Sequence, residues 1–331
     1  MDNKYKEINL NFEKNKKKQN STNLSIEIMK KHNILLVSLS LQLLFVLLLM
    51  DSCKPEDDMN PADYELYISI SADKYPDISP DGNLIAYYHQ ALESPEPESY
   101  PSGLYVMDIG GTNRRMLLRG NHWSPSWSPD SQKLVFTSNG DLQIININGD
   151  SLRTFLGIAG LSLYTPDWSI DGKEILFSAP LNLAGGVYVM TPDFIYVRRI
   201  LSPIENNGMY ARWSPDRSKI VYAKGNQSWK STEIFTIDTT LASEMQLTND
   251  SRADKDPSWS PNGEFIVWSS NMEIYLMNTD GSHHQRLDYG QNPTCSTDGQ
   301  FIVYCNANHD FTKEVLWKID INGKNKVQLT F

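Results

Sequence analysis

The sequence predicts an all-β fold, a six-bladed β-propeller of four-stranded antiparallel blades. The first observation is a block of seven residues that recurs six times, at intervals of 36 to 49 residues. The second is that short apolar segments of strand type follow every copy. The third is that no stretch after residue 60 has a sustained helical period. Four short strands in each unit of about 43 residues are typical of propeller blades, whose edges are protected when the ring closes.

The recurring block predicts a tight hairpin at the start of each unit. Its copies begin at residues 76, 125, 166, 211, 257 and 293 and are variations on Pro-x-Trp-Ser-Pro-Asp-Gly. Pro presets φ for the turn, Asp or Asn binds nearby backbone N–H groups, and Gly accepts a positive φ. We therefore interpret the repeated acid as the cap of each hairpin, not as a calcium-binding or acid–base array: Asp81, Asp130, Asp171, Asp216 and Asp298.

Three further strands follow each block. The second strand ends its apolar core in an aromatic residue in all six copies, and a third strand and a short fourth strand complete the unit. We expect the Trp of the block to pack between neighbouring blades. Cys295 takes its place in the last copy as a small core residue and forms no disulfide with Cys305. Residues 67–71 and 328–331 both suit the last strand position, and we favour a clasp in which they pair side by side.

The repeat, together with its IYVMD-like third strand and RLT-like fourth strand, resembles the TolB-type propeller repeat, a relative of WD repeats. The resemblance covers residues 75–331. It implies a propeller that docks partners of the cell envelope. Proteins of the TolB type carry an α/β domain before their blades, whereas about 20 residues separate Cys53 from the first repeat here. A Tol-Pal role is therefore not part of the prediction.

The N-terminal region is interpreted as a targeting segment rather than a folded domain. Lys30 and Lys31 precede 17 uncharged residues, 34–50, and Ser52 precedes Cys53 in a lipobox-like sequence. This pattern predicts a signal peptide over residues 29–52, with Met29 as the true start and residues 1–28 as an upstream extension. Cys53 would be lipidated, residues 53–63 would form a tether, and residues 64–331 the propeller. An uncleaved anchor helix and ordinary secretion are the alternatives.

Charge excludes nucleic acid as a partner. The chain has 30 Lys and Arg against 40 Asp and Glu, a net charge of -10. Because residues 1–52 hold 8 Lys against 5 acids, the remaining residues carry -13. Binding to phosphate backbones needs a basic surface instead.

Catalytic motifs are absent from the sequence. It has no G-x-S-x-G elbow and no phosphate-binding loop, and its histidines fall at different places in their repeats. We therefore predict no cofactor and no metal site. An enzymatic alternative remains open: a polysaccharide lyase or hydrolase with Asp254 and Asp256 as acid and base and His122 as a channel residue. A structural accessory subunit of a surface complex is the other alternative.

The candidate site is the channel mouth, which we define as the end of the ring where the loops lead into the innermost strands. These loops bring aromatic and polar side chains together, a combination suited to recognition. The predicted binding residues are Lys74, Tyr75, His122, Trp123, Tyr164, Tyr210, Asp254, Lys255, Asp256, Gln291 and Asn292. The predicted function is that of a monomeric, lipid-anchored, non-enzymatic protein of a Gram-negative cell envelope. It would bind an envelope or surface protein, or a glycan, at this mouth.

Overall fold

The structure, a computed structural model, describes residues 71–91, 100–157, 162–179, 186–201, 208–225 and 231–331. The predicted signal peptide, Cys53, the tether and residues 67–70 of the proposed clasp lie outside these described residues. Strands and turns make up the regular structure of the described ranges, and none of their segments is a helix suited to spanning a membrane.

Each sequence repeat supplies four strands. Repeats 1 to 3 form β1 (Ala72–Ile78), β2 (Leu84–Gln90), β3 (Gly103–Asp108), β4 (Arg115–Arg119), β5 (Trp123–Trp127), β6 (Lys133–Ser138), β7 (Asp141–Asn146), β8 (Arg153–Phe155), β9 (Tyr164–Trp168), β10 (Ile175–Ala179), β11 (Gly186–Met190) and β12 (Val197–Leu201). Repeats 4 to 6 form β13 (Gly208–Trp213), β14 (Lys219–Gly225), β15 (Thr232–Asp238), β16 (Glu244–Gln246), β17 (Asp254–Trp259), β18 (Phe265–Ser270), β19 (Glu273–Asn278), β20 (Gln285–Tyr289), β21 (Gln291–Cys295), β22 (Phe301–Ala307), β23 (Glu314–Asp320) and β24 (Val327–Gln328).

The strands assemble as the repeats predict, into a β-propeller with four-stranded antiparallel blades. Repeats 2, 3, 4 and 5 each form a separate sheet in sequential strand order. Repeats 1 and 6 share one eight-stranded sheet, because Ala72 of β1 pairs in parallel with Glu314 of β23. The first strands of successive repeats contact one another in a closed cycle, from β1 through β5, β9, β13 and β17 to β21 and back to β1. These six strands therefore surround the channel.

Hydrophobic clusters fill the junctions between neighbouring repeats. Trp127 of repeat 2 packs with Ala86 and Leu104 of repeat 1, which confirms the packing predicted for the repeated Trp. At the last junction, Ile78 and Tyr87 of repeat 1 pack with residues of repeat 6, including Leu329. Burial of apolar surface thus joins each repeat to the next all the way around the ring.

The hairpin caps are also confirmed. Ser214 Oγ donates to Asp216 at 2.7 Å, and the Asp216 carboxylate accepts the Ser218 backbone N–H at 3.0 Å. These hydrogen bonds, that from Ser214 first, lower the pKa of Asp216 to about 2. The same serine–aspartate pair closes the hairpins of repeats 1, 2, 3 and 6. Cys295 and Cys305 are both free, as predicted.

A bulge in every first strand was not predicted. One residue of each adopts a positive φ between 47° and 56°, and the pairing with the second strand shifts at that point. The six residues are Tyr75, Ser124, Thr165, Tyr210, Asp256 and Asn292. Five of them precede a proline, a position that usually favours extended backbone. Bulges of this kind change the direction of side chains, and here they do so at the channel.

Candidate functional site: the channel mouth

The bulge residues of three repeats lie close enough to interact electrostatically across the channel. Tyr75 of repeat 1 interacts electrostatically with Tyr210 of repeat 4 and Asp256 of repeat 5, and Tyr210 also interacts with Asp256. Burial, followed by the Asp256 charge, raises the pKa of both tyrosines, so they stay neutral hydroxyls. The structure therefore brings these three predicted residues, which are distant in sequence, into one half-buried polar group.

Asp256 is held by its neighbours in repeats 5 and 6. Its carboxylate accepts hydrogen bonds from Asn292 Nδ2 at 3.0 Å and Ser269 Oγ at 3.4 Å. Burial raises the pKa of Asp256, while Lys255 and Arg212 oppose that rise. The backbone N–H of Asn292 in turn donates to Ser269 Oγ at 3.1 Å. Asn292 thus positions the acidic group of the mouth.

The residues directly before the bulge face the outside of the mouth. Tyr164 is 42% exposed, and Trp123 is half-buried between the rings of Tyr75 and Tyr88, with centroids at 5.9 and 4.4 Å. Lys74 forms an ion pair with Glu314 at 3.3 Å, and Gln291 donates a long hydrogen bond, 3.5 Å, to the same carboxylate. Lys74, Trp123, Tyr164, Lys255 and Gln291 all occupy this position in their repeats.

The residues two positions before the bulge are buried in the sheet packing. His122 and Asp254, both predicted to bind at the mouth, are therefore not on its surface. His122 is only 6% exposed; it is hydrogen-bonded through Nε2 to the Arg119 carbonyl at 3.0 Å and packs edge-on against Phe136. Burial lowers the pKa of His122. Asp254 is 1% exposed. The extended backbone expected between Asp254 and Asp256 is broken by the bulge, so the two carboxylates do not face one point as an acid–base pair would.

A second ring of polar residues lies two positions beyond the bulge, at the variable position of the Pro-x-Trp block. Asp77 Oδ2 accepts the backbone N–H of Trp127 in the next repeat at 3.0 Å, and Asp167 Oδ2 accepts that of Trp213 at 2.7 Å. Ser126 Oγ accepts that of Trp168 at 3.1 Å. Each of these residues ties its repeat to the following one through a main-chain hydrogen bond.

Arg212 occupies the same position in repeat 4 and is the cation of the channel. Its Nη1 donates to the Pro166 carbonyl at 3.0 Å and to Asp167 Oδ1 at 3.3 Å. Burial raises the pKa of Asp77 in repeat 1 and of Asp256 in repeat 5, and the charge of Arg212 opposes both rises. Arg212 therefore offsets part of the cost of burying carboxylates from repeats 1, 3 and 5.

Sequence reasoning missed Arg212, Asp77, Asp167 and Glu314. The first three occupy the second position of the repeated block, where the copies carry Asp, Ser, Arg or Thr, and that variation in charge was the signal available. Glu314 begins a third strand, and nothing in its local sequence distinguishes it from the other acidic residues of the chain.

The side chains of the channel mouth are suited to binding a ligand. Aromatic faces lie beside a carboxylate, an amide and two lysines, and hydroxyl groups of neutral tyrosines line the opening. Such a surface provides contact area together with hydrogen-bond donors and acceptors. These features and the ring of blades define a β-propeller protein whose candidate site is a binding mouth.

The family follows from comparison with known proteins. A family model described as the TolB beta propeller domain matches residues 60–291. The chain therefore belongs to the TolB beta propeller family.

Curated relatives include an uncharacterized peptidase, YuxL, of Bacillus subtilis, which is 28% identical over 209 residues, 60% of this chain and 29% of that protein. The Tol-Pal system protein TolB of Francisella tularensis subsp. mediasiatica is 25% identical over 231 residues, 66% of this chain and 51% of that protein. The chain thus spans less than a third of the first relative and about half of the second.

Among solved structures, TolB from Acinetobacter baumannii matches with a TM-score of 0.64 and 20% identity, covering 74% of this chain and 63% of that one. Oligogalacturonate lyase from Vibrio parahaemolyticus matches with a TM-score of 0.53 and 10% identity, covering 80% and 79%. At these identities the likeness is one of fold, and a shared fold does not specify a shared function.

Proposed function

We propose that the protein is a non-enzymatic, lipid-anchored propeller of the cell envelope that binds a partner protein at its channel mouth. The observation that carries this proposal is the convergence of Tyr75, Tyr210 and Asp256 from three repeats, beside the more exposed Trp123 and Tyr164. Aromatic side chains around a polar centre are the residues that most often dominate binding energy in protein interfaces. Membership of the TolB propeller family supports the same class of function.

We also propose that the ring has six blades. In the eight-stranded sheet, repeats 1 and 6 are joined through the parallel bridge between Ala72 and Glu314. The same kind of parallel bridge joins Ala253 and Thr232 at the corresponding positions of repeats 5 and 4, which form separate sheets. The eight strands are therefore best counted as two blades that meet as other neighbours do. The backbone N–H of Glu314 also donates to the Ser71 carbonyl at 3.1 Å, which joins the start of repeat 1 to the third strand of repeat 6.

Partner binding can be tested by site-specific photocrosslinking in intact cells. A benzophenone amino acid at Trp123 or Tyr164 should crosslink one envelope protein. The control is the same substitution at Tyr196, which is 55% exposed in the β11–β12 hairpin at the opposite end of the strands. Trp123→Ala and Tyr164→Ala should each weaken binding of the captured partner by about tenfold. Crosslinks at Tyr196 alone would refute the mouth as the binding surface.

A separate assay tests the enzymatic alternative, a polysaccharide lyase or hydrolase. The purified protein is incubated with a panel of polysaccharides, and release of new sugar ends is measured for the wild type, Asp256→Asn and His122→Asn. We expect no release, because His122 is buried and the two carboxylates do not form a pair. An activity that Asp256→Asn abolishes would contradict the non-enzymatic proposal, and binding of a glycan without release would replace the partner protein by a glycan.

Lipidation of Cys53 is a separate part of the proposal and rests on residues 30–53 of the sequence. Cells are fed a clickable fatty acid, and the wild type is compared with Cys53→Ser. Label on the wild type alone is the expected result. An unlabelled wild type that appears in the medium would refute the lipid anchor without affecting the proposed binding mouth.

A further inference from the structure

Beside the channel mouth, three carboxylates from two repeats meet at one point. Glu233 lies in β15 of repeat 4, Asp254 begins β17 of repeat 5, and Asp250 lies in the connection between the two repeats. One oxygen from each lies within 4.8 Å of the others.

The central member of this group has no partner of its own. Asp254 is 1% exposed, and within the part of the chain that the structure describes neither of its carboxylate oxygens makes a hydrogen bond of normal geometry. Thr248, Ser270 and Trp268 lie close enough to lower its pKa slightly, but the Ser270 hydroxyl and the Trp268 indole N–H are themselves buried without a partner. A buried carboxylate is costly unless a charge or several hydrogen bonds compensate it.

Asp73 occupies in repeat 1 the position of Asp254, and the charge of its carboxylate is compensated by neighbouring side chains. There, Asp73 is 3% exposed. Its carboxylate accepts hydrogen bonds from His89 Nδ1 at 2.7 Å and from Arg114 Nη2 at 3.1 Å. The strand pairing is equivalent, since Asp73 pairs with His89 and Asp254 pairs with Ser270. Repeat 5 thus keeps the buried acid of repeat 1 but has Ser270 where repeat 1 has the histidine.

The charges around Asp254 do not balance. Arg252 is the arginine that contacts this group among the described residues. It donates to the Asp250 carboxylate from its Nε at 2.9 Å and from its backbone N–H at 2.7 Å. Its Nη1 donates to the Tyr275 hydroxyl at 2.7 Å. Glu233 accepts Thr248 Oγ1 at 2.8 Å and the Asp250 backbone N–H at 3.1 Å. Three carboxylates against one guanidinium leave a charge of -2, while His284 lies near Asp250 on the outer side. Burial, with the neighbouring carboxylates, raises the pKa of both Glu233 and Asp254.

We propose that Glu233, Asp250 and Asp254 form a calcium site that joins repeats 4 and 5. All the available ligands are oxygens, with the hydroxyls of Thr248 and Ser270 beside the carboxylates, and such ligands select hard cations over zinc. Calcium accepts six to eight oxygens at about 2.3–2.6 Å, so two ligands across the ion lie up to about 5 Å apart. Magnesium requires shorter distances and a stricter octahedron. The ion would also fix the start of β17, two residues before Asp256 of the mouth.

The test compares calcium-dependent stability and terbium luminescence in the full chain, purified in a mild detergent and freed of metal with EDTA. When free Ca²⁺ exceeds its Kd about 100-fold, the Tm of the wild type should rise by about 5 °C. Tb³⁺ should emit on excitation of tryptophan, since Trp268 lies beside Asp254, and Ca²⁺ should quench this emission by competition. Both responses should be lost in Asp254→Asn and reduced in Glu233→Gln.

The matched control is Asp280→Asn, which alters an exposed acid of the neighbouring β19–β20 hairpin and should respond as the wild type does. In EDTA, Asp254→Asn should be at least as stable as the wild type, because it removes an uncompensated buried charge. If that variant fails to fold, Glu233→Gln decides the question, as Glu233 is only half-buried. A wild type without either response, an equal response in the variants, or an equal response to MgCl₂ would overturn the calcium site.

Discussion

Single side chains set the electrostatics of the channel. Arg212 stands at a position where the other repeats have Asp, Ser or Thr, and it compensates Asp77, Asp167 and Asp256 from three other repeats. Burial nevertheless raises the pKa of Asp77 to about 7, since Arg212, the Trp127 N–H and Thr294 offset only part of the desolvation. Asp77 is half-buried, and an acid whose pKa is raised towards neutral makes the free energy of unfolding fall as the pH rises.

The first prediction concerns Asp77. Because its folded pKa exceeds the unfolded value, the folded state keeps a proton that the unfolded state has lost between about pH 4 and pH 7. Its contribution therefore lowers the free energy of unfolding as pH rises through that window, by up to about 1.4 kcal/mol per pH unit. Asp77→Asn should lack this slope in urea unfolding between pH 5 and pH 7.

The control for that prediction is Asp130→Asn. Hydrogen bonds, that from Ser128 first, lower the pKa of Asp130, so it titrates below the window and the variant should keep the wild-type slope. If Asp77→Asn and the wild type show the same slope, Asp77 does not hold a proton in the folded state.

The first strands are the elements that build the site. In each of them the bulge separates three successive positions: the residue two before it packs within the sheet, the next lies at the mouth, and the bulge residue lies at the channel. Asp73, His122 and Asp254 take the first direction, and Gly290 holds that position in repeat 6. The glycine is required there because a Cβ would meet Tyr304 Cδ2 at 2.5 Å and the Cys305 carbonyl at 2.6 Å, at a φ of 149°.

The second prediction follows from that close approach. Gly290→Ala should lower the free energy of unfolding by at least about 2 kcal/mol, through both the clash and the strained φ. Gly110→Ala, at a turn where a Cβ meets nothing within 4 Å, should change it by less than about 0.5 kcal/mol. Chemical denaturation of both variants measures the difference, and equal costs would mean that β21 shifts to make room.

Closure of the ring is the property of the whole molecule. The junction of repeats 6 and 1 contains a hydrophobic cluster, the Ala72–Glu314 bridge and a long hydrogen bond of 3.5 Å from Thr294 to Asp77. Leu329, 4% exposed, brings the C-terminal strand segment into that cluster. The last repeat is thereby held from both sides, so we expect the ring to unfold as one unit.

The third prediction tests this closure. Leu329→Ala should lower stability by about 2–5 kcal/mol, as truncation of a buried leucine does, and the variant should still unfold in a single transition. Val327→Ala, two residues away and 51% exposed, is the matched control and should have little effect. An early, separate transition in Leu329→Ala, followed by limited proteolysis of repeat 6 alone, would show that the ring is open there.

Much of the site was accessible from the sequence because the repeat is regular. The loops that lead into the first strands were correctly located from the block alone, and they supplied Tyr75, Tyr210 and Asp256. Sequence reasoning misplaces His122 and Asp254 because the bulge breaks the alternation of side chains along the strand, so the residue two positions before it does not share the direction of the bulge residue. The bulge was not predicted because five of its six residues precede proline, and a residue before proline usually adopts extended backbone.

The sequence by itself determined the blade pattern and the hairpin caps, because strands, turns and caps depend on residues within about ten positions of one another. It also determined the packing of Trp127 and its counterparts between repeats. Because every repeat has the same strands, a side chain at one position of the repeat contacts the same part of the neighbouring repeat each time. Only the tertiary structure decided which side chains share the channel. Tyr75, Tyr210, Arg212 and Asp256 are brought together by curvature around the ring, and Glu233 and Asp254 by contact between repeats. Those encounters depend on distances across the closed ring, which no local segment of the chain encodes.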